Sequence, residues 1–72
     1  MMKTVNAEIA GNVWKILVGI GDQVKIGQEV VILESMKMEI PIIVVNDGTI
    51  TNVKVSEGDF VNEGELLIEL EN

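Results

Sequence analysis

Seventy-two residues, twelve of them acidic and five basic for a net charge of −7, fit one small domain (1–72) and speak against nucleic acid or an anionic membrane as partner. The sequence has neither His nor Cys, which excludes disulfides, thiol redox chemistry, the commonest zinc ligand and every Ser-His or Cys-His nucleophile. Stability has to come from apolar packing, and a 47% hydrophobic content rich in Val and Ile suits that.

In chain order, a first strand is expected just ahead of Gly11. Val13, Ile16, Leu17 and Ile20 then have helical spacing, but the run is short, β-branched and interrupted by Gly19 and Gly21, so strand is preferred. The apolar stretch Ile16 to Ile20 is far shorter than the roughly 20 residues of a membrane span; with no targeting segment in view, a cytoplasmic location is expected. Gly21-Asp22 signals a turn and Gly27 another break. Strand signal runs from Val30 to Leu33 and again from Ile40 to Val45, with a tight hairpin between. Pro41 has no N–H to donate, which predicts a strand start or an edge. Beyond Gly48, Val53 to Val55 and Ile68 to Glu71 alternate apolar and polar, separated by a second turn at Gly58-Asp59 and a break at Gly64. The alternation slips between Val13 and Ile16 and again between Ile50 and Val53, which predicts a bulge at each place.

These two halves are one sequence written twice. Placing Gly11 on Gly48, an offset of 37 residues, also superposes Val18 on Val55, Gly21-Asp22 on Gly58-Asp59 and Val24 on Val61. Gly27 then falls on Gly64, and Leu33-Glu34 on Leu70-Glu71, without a gap. Two copies of a four-strand unit predict an all-β fold: a flattened antiparallel barrel or sandwich of two four-stranded sheets about an approximate two-fold axis. The expectation is that the copies pack face to face. Trp14, aligned with Thr51, is expected as barrel packing or a partly exposed strand residue and not as a ligand-stacking platform.

Glu34-Ser35-Met36-Lys37-Met38-Glu39 occupies the predicted hairpin, and at the repeat offset its counterpart falls beyond Glu71. Lys37 is therefore the single lysine on a projecting turn. A Schiff-base or general-base lysine needs burial or cationic neighbours. Lys37 has Glu34 and Glu39 nearby and a wet turn tip, so it is suited to be acted upon and not to act. Met36 and Met38 either cover the barrel end or present soft, adaptable surface to several partners.

The run Glu34-Ser35-Met36-Lys37-Met38-Glu39, with the glycine and strand pattern of both halves, resembles the biotin/lipoyl attachment family, and its biotinyl branch in particular. The resemblance covers essentially the whole chain. It implies the hammerhead barrel typical of these domains, with biotin joined to Lys37 by a biotin protein ligase. Glu34, Ser35, Met36 and Met38 would be the flanks that the ligase reads. It further implies a non-catalytic, monomeric carrier that shuttles a carboxyl group between biotin carboxylase and carboxyltransferase subunits. Lipoate, added by a lipoate ligase in place of biotin or as a second group the protein accepts, is the alternative, although the lipoyl branch places Asp before and Ala after its lysine where this chain has Met36 and Met38. An unmodified binding module is a further alternative. Two positions depart from the pattern: Ser35 replaces the usual Ala, and Glu8 stands where many relatives carry Pro.

Overall fold

The computed structural model describes residues 2–72. Its elements are β1 (Met2–Asn6), β2 (Gly11–Ile16), β3 (Gln23–Val24), β4 (Glu29–Ser35), β5 (Met38–Ile43), β6 (Gly48–Val53), β7 (Phe60–Val61) and β8 (Leu66–Glu71). No helix occurs among the described residues; the helical spacing of Val13 to Ile20 gives way to strand pairing as far as Ile16. The strands form two four-stranded antiparallel sheets, ordered β1-β8-β6-β3 and β5-β4-β2-β7. These are called sheet 1 and sheet 2.

The 37-residue offset carries β1 onto β5, β2 onto β6, β3 onto β7 and β4 onto β8, and so maps each sheet onto the other. One expectation needs correcting. The two halves do not each form a sheet and pack face to face. Each sheet takes two strands from each half, so the halves interlock. The reason lies in edge satisfaction. β4 and β8 are each flanked on both sides, and one of those flanks, β5 for β4 and β1 for β8, comes from the other half. A half on its own would leave those ladder groups open.

The turns tighten the interlock. Gly21 donates its N–H to the Ile50 carbonyl and Gly58 does the same to Val13, at 2.8 Å in both halves. Ile50 in turn donates to the Asp22 carbonyl and Val13 to that of Asp59. The Asp22 carboxylate accepts the Gly19 N–H, and the Asp59 carboxylate accepts that of Ser56, each at 2.8 Å. These local side-chain bonds hold the turns, and positive φ angles at Gly21 (95°) and Gly58 (97°) explain the glycines there.

Both predicted bulges are present. The β2–β4 register slips between Val13 and Lys15, and the β6–β8 register between Ile50 and Asn52, leaving Trp14 and Thr51 as the equivalent extra residues. A second pair of slips, which the alternation did not signal, lies between Val5 and Asn6 on β1 and between Glu29 and Val31 on β4. It turns Val30 and Val31 both inward, fully buried, as it does their twins Leu67 and Ile68. Pro41 lies within β5, the edge strand of its sheet, as its missing N–H requires. Strand β5 stops at Ile43, short of the expected Val45; Val44 instead bonds to Gln28 across the β3–β4 turn at 3.0 Å.

One apolar cluster fills the space between the sheets, and it contains no buried polar side chain among the described residues. Leu33 and Leu70 are twins in this core, 0% and 1% exposed. Leu33→Ala and Leu70→Ala should each lower the urea-unfolding free energy by about 2–5 kcal/mol, the range for emptying a buried leucine site. Similar losses from both are expected of a true two-fold core; a loss from one alone would contradict it.

Candidate attachment hairpin

Strands β4 and β5 are joined by only two residues, Met36 and Lys37, with Ser35 paired to Met38 as the closing rung. The turn is thus tighter than the sequence suggested, since Ser35 and Met38 belong to the ladder. Met36 (φ 54°) and Lys37 (φ 63°) both lie in the left-handed region, and they are the only non-glycine residues described that do. A two-residue loop with positive φ at both centres is the type I′ turn, whose twist matches that of the flanking strands. Asn-Gly is its usual sequence. An ordinary side chain in that region costs about 1–2 kcal/mol per residue.

The strain has a geometric result. Met36 is 90% and Met38 63% exposed, so the reading in which they cover the barrel end is overturned. Lys37 is exposed and makes no hydrogen bond or ion pair among the described residues. Behind it, Glu34 and Glu39 stand directly opposite each other on β4 and β5, both exposed. Like charges facing across a ladder are unfavourable, and no cation pairs with either carboxylate among the described residues. The hairpin end is therefore a tip with two exposed methionines on an acidic base, with one amine at its apex.

Strand β2 runs close beneath this base. A Cβ on Gly11 would stand 2.7 Å from the Glu34 carbonyl oxygen, so only glycine lets β2 approach β4 there. Its twin Gly48 is constrained in the same way by Leu70 and Glu71, which explains why the repeat keeps both. Beside the hairpin lies a shallow open recess whose walls include Ala10, Asn12, Ser35 and Phe60. The sequence reading singled out neither Asn12 nor Phe60. The signal was available in the repeat: Phe60 aligns with Gln23 and Asn12 with Thr49, changes in chemistry at equivalent positions. Trp14, 42% exposed, is a partly exposed strand residue as expected, with the Lys15 amine 5.5 Å from its ring centre. Among the described residues no cluster of carboxylates suits a metal ion, so the features that stand out belong to the hairpin.

Two interlocked half-barrels that hold one exposed lysine on a two-residue turn at positive φ have the architecture of a carrier domain. The family model described as "Biotin-requiring enzyme", the biotin/lipoyl family, matches residues 1–70, and the chain belongs to that family. A biotin/lipoyl attachment protein of Bacillus subtilis is 59% identical over 69 residues, which are 96% of this chain and 94% of the relative. A biotin carboxyl carrier protein of Streptococcus mutans is 43% identical over 65 residues, 90% of this chain but 50% of the carrier. Among solved structures, the urea carboxylase of Kluyveromyces lactis contains a region matching 99% of this chain with a TM-score of 0.92 and 28% identity; the match spans 6% of that enzyme.

The strain at Met36 and Lys37 can be measured. Replacing both with the preferred pair, Met36→Asn with Lys37→Gly, should raise the urea-unfolding free energy by about 1–2 kcal/mol. No change, or a loss, would show that the turn is relaxed as it stands.

Proposed function

We propose that this protein is a biotin carboxyl carrier, with biotin joined through an amide to Lys37 Nζ. The observation that carries the reading is the turn itself: two non-glycine residues held at positive φ to project one free amine between two exposed methionines. An incoming ligase needs an amine it can enclose without displacing the carrier's own contacts, and Lys37 has none to displace. Met36 and Met38 offer adaptable apolar surface to successive partners of different shape. Ser35 and Glu34 close the ladder behind the turn and keep the tip from collapsing onto the sheet.

When bound, biotin supplies a ring nitrogen that can take up and release a carboxyl group. The chain contributes reach and effective concentration, because a group tethered to a long flexible side chain meets two sites more often than the same group free in solution. Catalysis then belongs to the partners, a biotin carboxylase and a carboxyltransferase, with a biotin protein ligase acting beforehand. A chain without His or Cys is consistent with this division of labour. A cytoplasmic location goes with such partners. No specific feature of the hairpin favours lipoate.

Intact-mass measurement after expression with a biotin protein ligase should find one biotinyl group per chain, detectable with streptavidin. Lys37→Arg, which keeps the charge but changes the reacting group, should carry none. Modification persisting on Lys15, Lys25 or Lys54 in that variant would defeat the assignment.

A further inference from the structure

The two-fold relation supplies a comparison within one chain, since every outward position on one sheet has a twin on the other. On sheet 2, which carries the hairpin, the outward side includes Trp14, Ile32, Pro41, Ile43 and Phe60. Phe60 is 61%, Ile43 45% and Trp14 42% exposed; Pro41 is also exposed and Ile32 half-buried. Their twins on sheet 1 are Thr51, Glu69, Thr4, Asn6 and Gln23. All five apolar residues thus have polar equivalents on the same backbone, while two outward pairs run the other way, Met2 with Glu39 and Leu66 with Glu29.

The polar set makes local bonds of its own. Asn6 donates from its side chain to the Gly64 carbonyl at 2.9 Å, Thr51 donates to the Glu69 carbonyl at 3.2 Å, and Glu69 meets Lys54 at 3.9 Å. The fold therefore accepts a water-facing surface at these positions, and folding does not demand the apolar one on sheet 2. A contiguous apolar face on a molecule this acidic marks an interaction surface.

We propose that the outer face of sheet 2 is the docking surface for the biotin carboxylase subunit, whose matching surface is apolar with a Lys or Arg rim. The proposal rests on the carrier reading above. Three features of the chain select this occupant. The face is continuous with the attachment hairpin, because β4 and β5 bear both Ile32, Pro41 and Ile43 and the turn that holds Lys37. A partner that encloses the lysine thereby lies against the face. The row Phe60–Asn12–Glu34–Glu39 crosses the sheet at the hairpin end, and its two facing carboxylates lack a cation, which a basic rim would supply. A second copy of this chain would instead bring further acidic surface, at a net charge of −7 per chain, to that edge. Finally, a ligase meets each carrier once, whereas the carboxylase and the carboxyltransferase meet it at every turnover and benefit from an affinity built into the carrier.

The test transfers residues between twins. In Ile32→Glu/Ile43→Asn/Phe60→Gln each side chain is the one that sheet 1 carries at the equivalent place. Phe60→Gln alone keeps the test open should the triple variant unfold, and Gln23→Ala on sheet 1 is the control. Each chain is biotinylated, its mass verified, and it is then used as substrate for the biotin carboxylase subunit of the same organism with MgATP and bicarbonate. The expected result is a KM for the carrier raised about tenfold in the triple variant and less in Phe60→Gln, with kcat within about twofold, and Gln23→Ala unchanged. Carboxylation of free biotin is the same throughout. An unchanged KM in both sheet 2 variants overturns the docking face and leaves the carrier reading intact. A biotinylated wild type that the subunit does not carboxylate overturns both. Sedimentation of the wild type as a dimer that the triple variant splits overturns the choice of occupant, as does a KM raised with the carboxyltransferase and unchanged with the carboxylase.

Discussion

The structure depends on strand pairing across the repeat. β4 gains its outer neighbour β5, and β8 its outer neighbour β1, only when both halves are present. The Gly21 and Gly58 turns add hydrogen bonds that also cross from one half to the other. A chain of this size buries only about 60% of its unfolded surface and has no cysteine for a disulfide to compensate. Interlocking lets it satisfy backbone groups and close its core in one step. Either half alone would leave one side of β4 or β8 unpaired.

That arrangement also explains where the lysine is. Wherever the two-fold axis carries the β4–β5 hairpin, the twin site is the pairing of Met2 with Glu71, where no turn joins the strands. Among the described residues the hairpin is thus the one turn that the symmetry does not duplicate, and it is where non-glycine backbone is strained. Left-handed geometry at Met36 and Lys37 costs stability that Asn-Gly would not. Two residues with side chains suited to partners occupy a turn whose geometry asks for two without them. The rigid ladder behind, closed by Ser35 and Met38, holds that conformation in place.

The repeat, the strands, both bulges at Trp14 and Thr51 and the edge position of Pro41 were legible because each follows from periodicity or from a missing donor. The exposed place of Lys37 on the hairpin was legible because it lies on a turn the repeat does not copy. How the halves interlock was not legible. The alternation of a strand fixes which face is buried but says nothing about which strand lies beside it, and β1 could as readily have paired within its own half. The second pair of bulges escaped notice because Val30-Val31 and Leu67-Ile68 read as continuous apolar runs, which suit any strand buried on both sides. The exposure of Met36 and Met38 needed the turn type, which depends on a loop length that sequence left four residues too long.

A repeat can also be read for its differences. Identities between the halves mark what the shared backbone requires, as Gly11 and Gly48 show, where a Cβ on either would meet the neighbouring strand. Differences at equivalent, outward positions are free of that requirement. A random scatter of such differences would mix polar and apolar on both sheets. Here Trp14, Ile32, Pro41, Ile43 and Phe60 lie on the sheet that bears the lysine and have polar twins on the other, against two pairs that run the opposite way, Met2 with Glu39 and Leu66 with Glu29. The core therefore records how the chain folds, while the asymmetry between its two outer faces records which side meets other molecules.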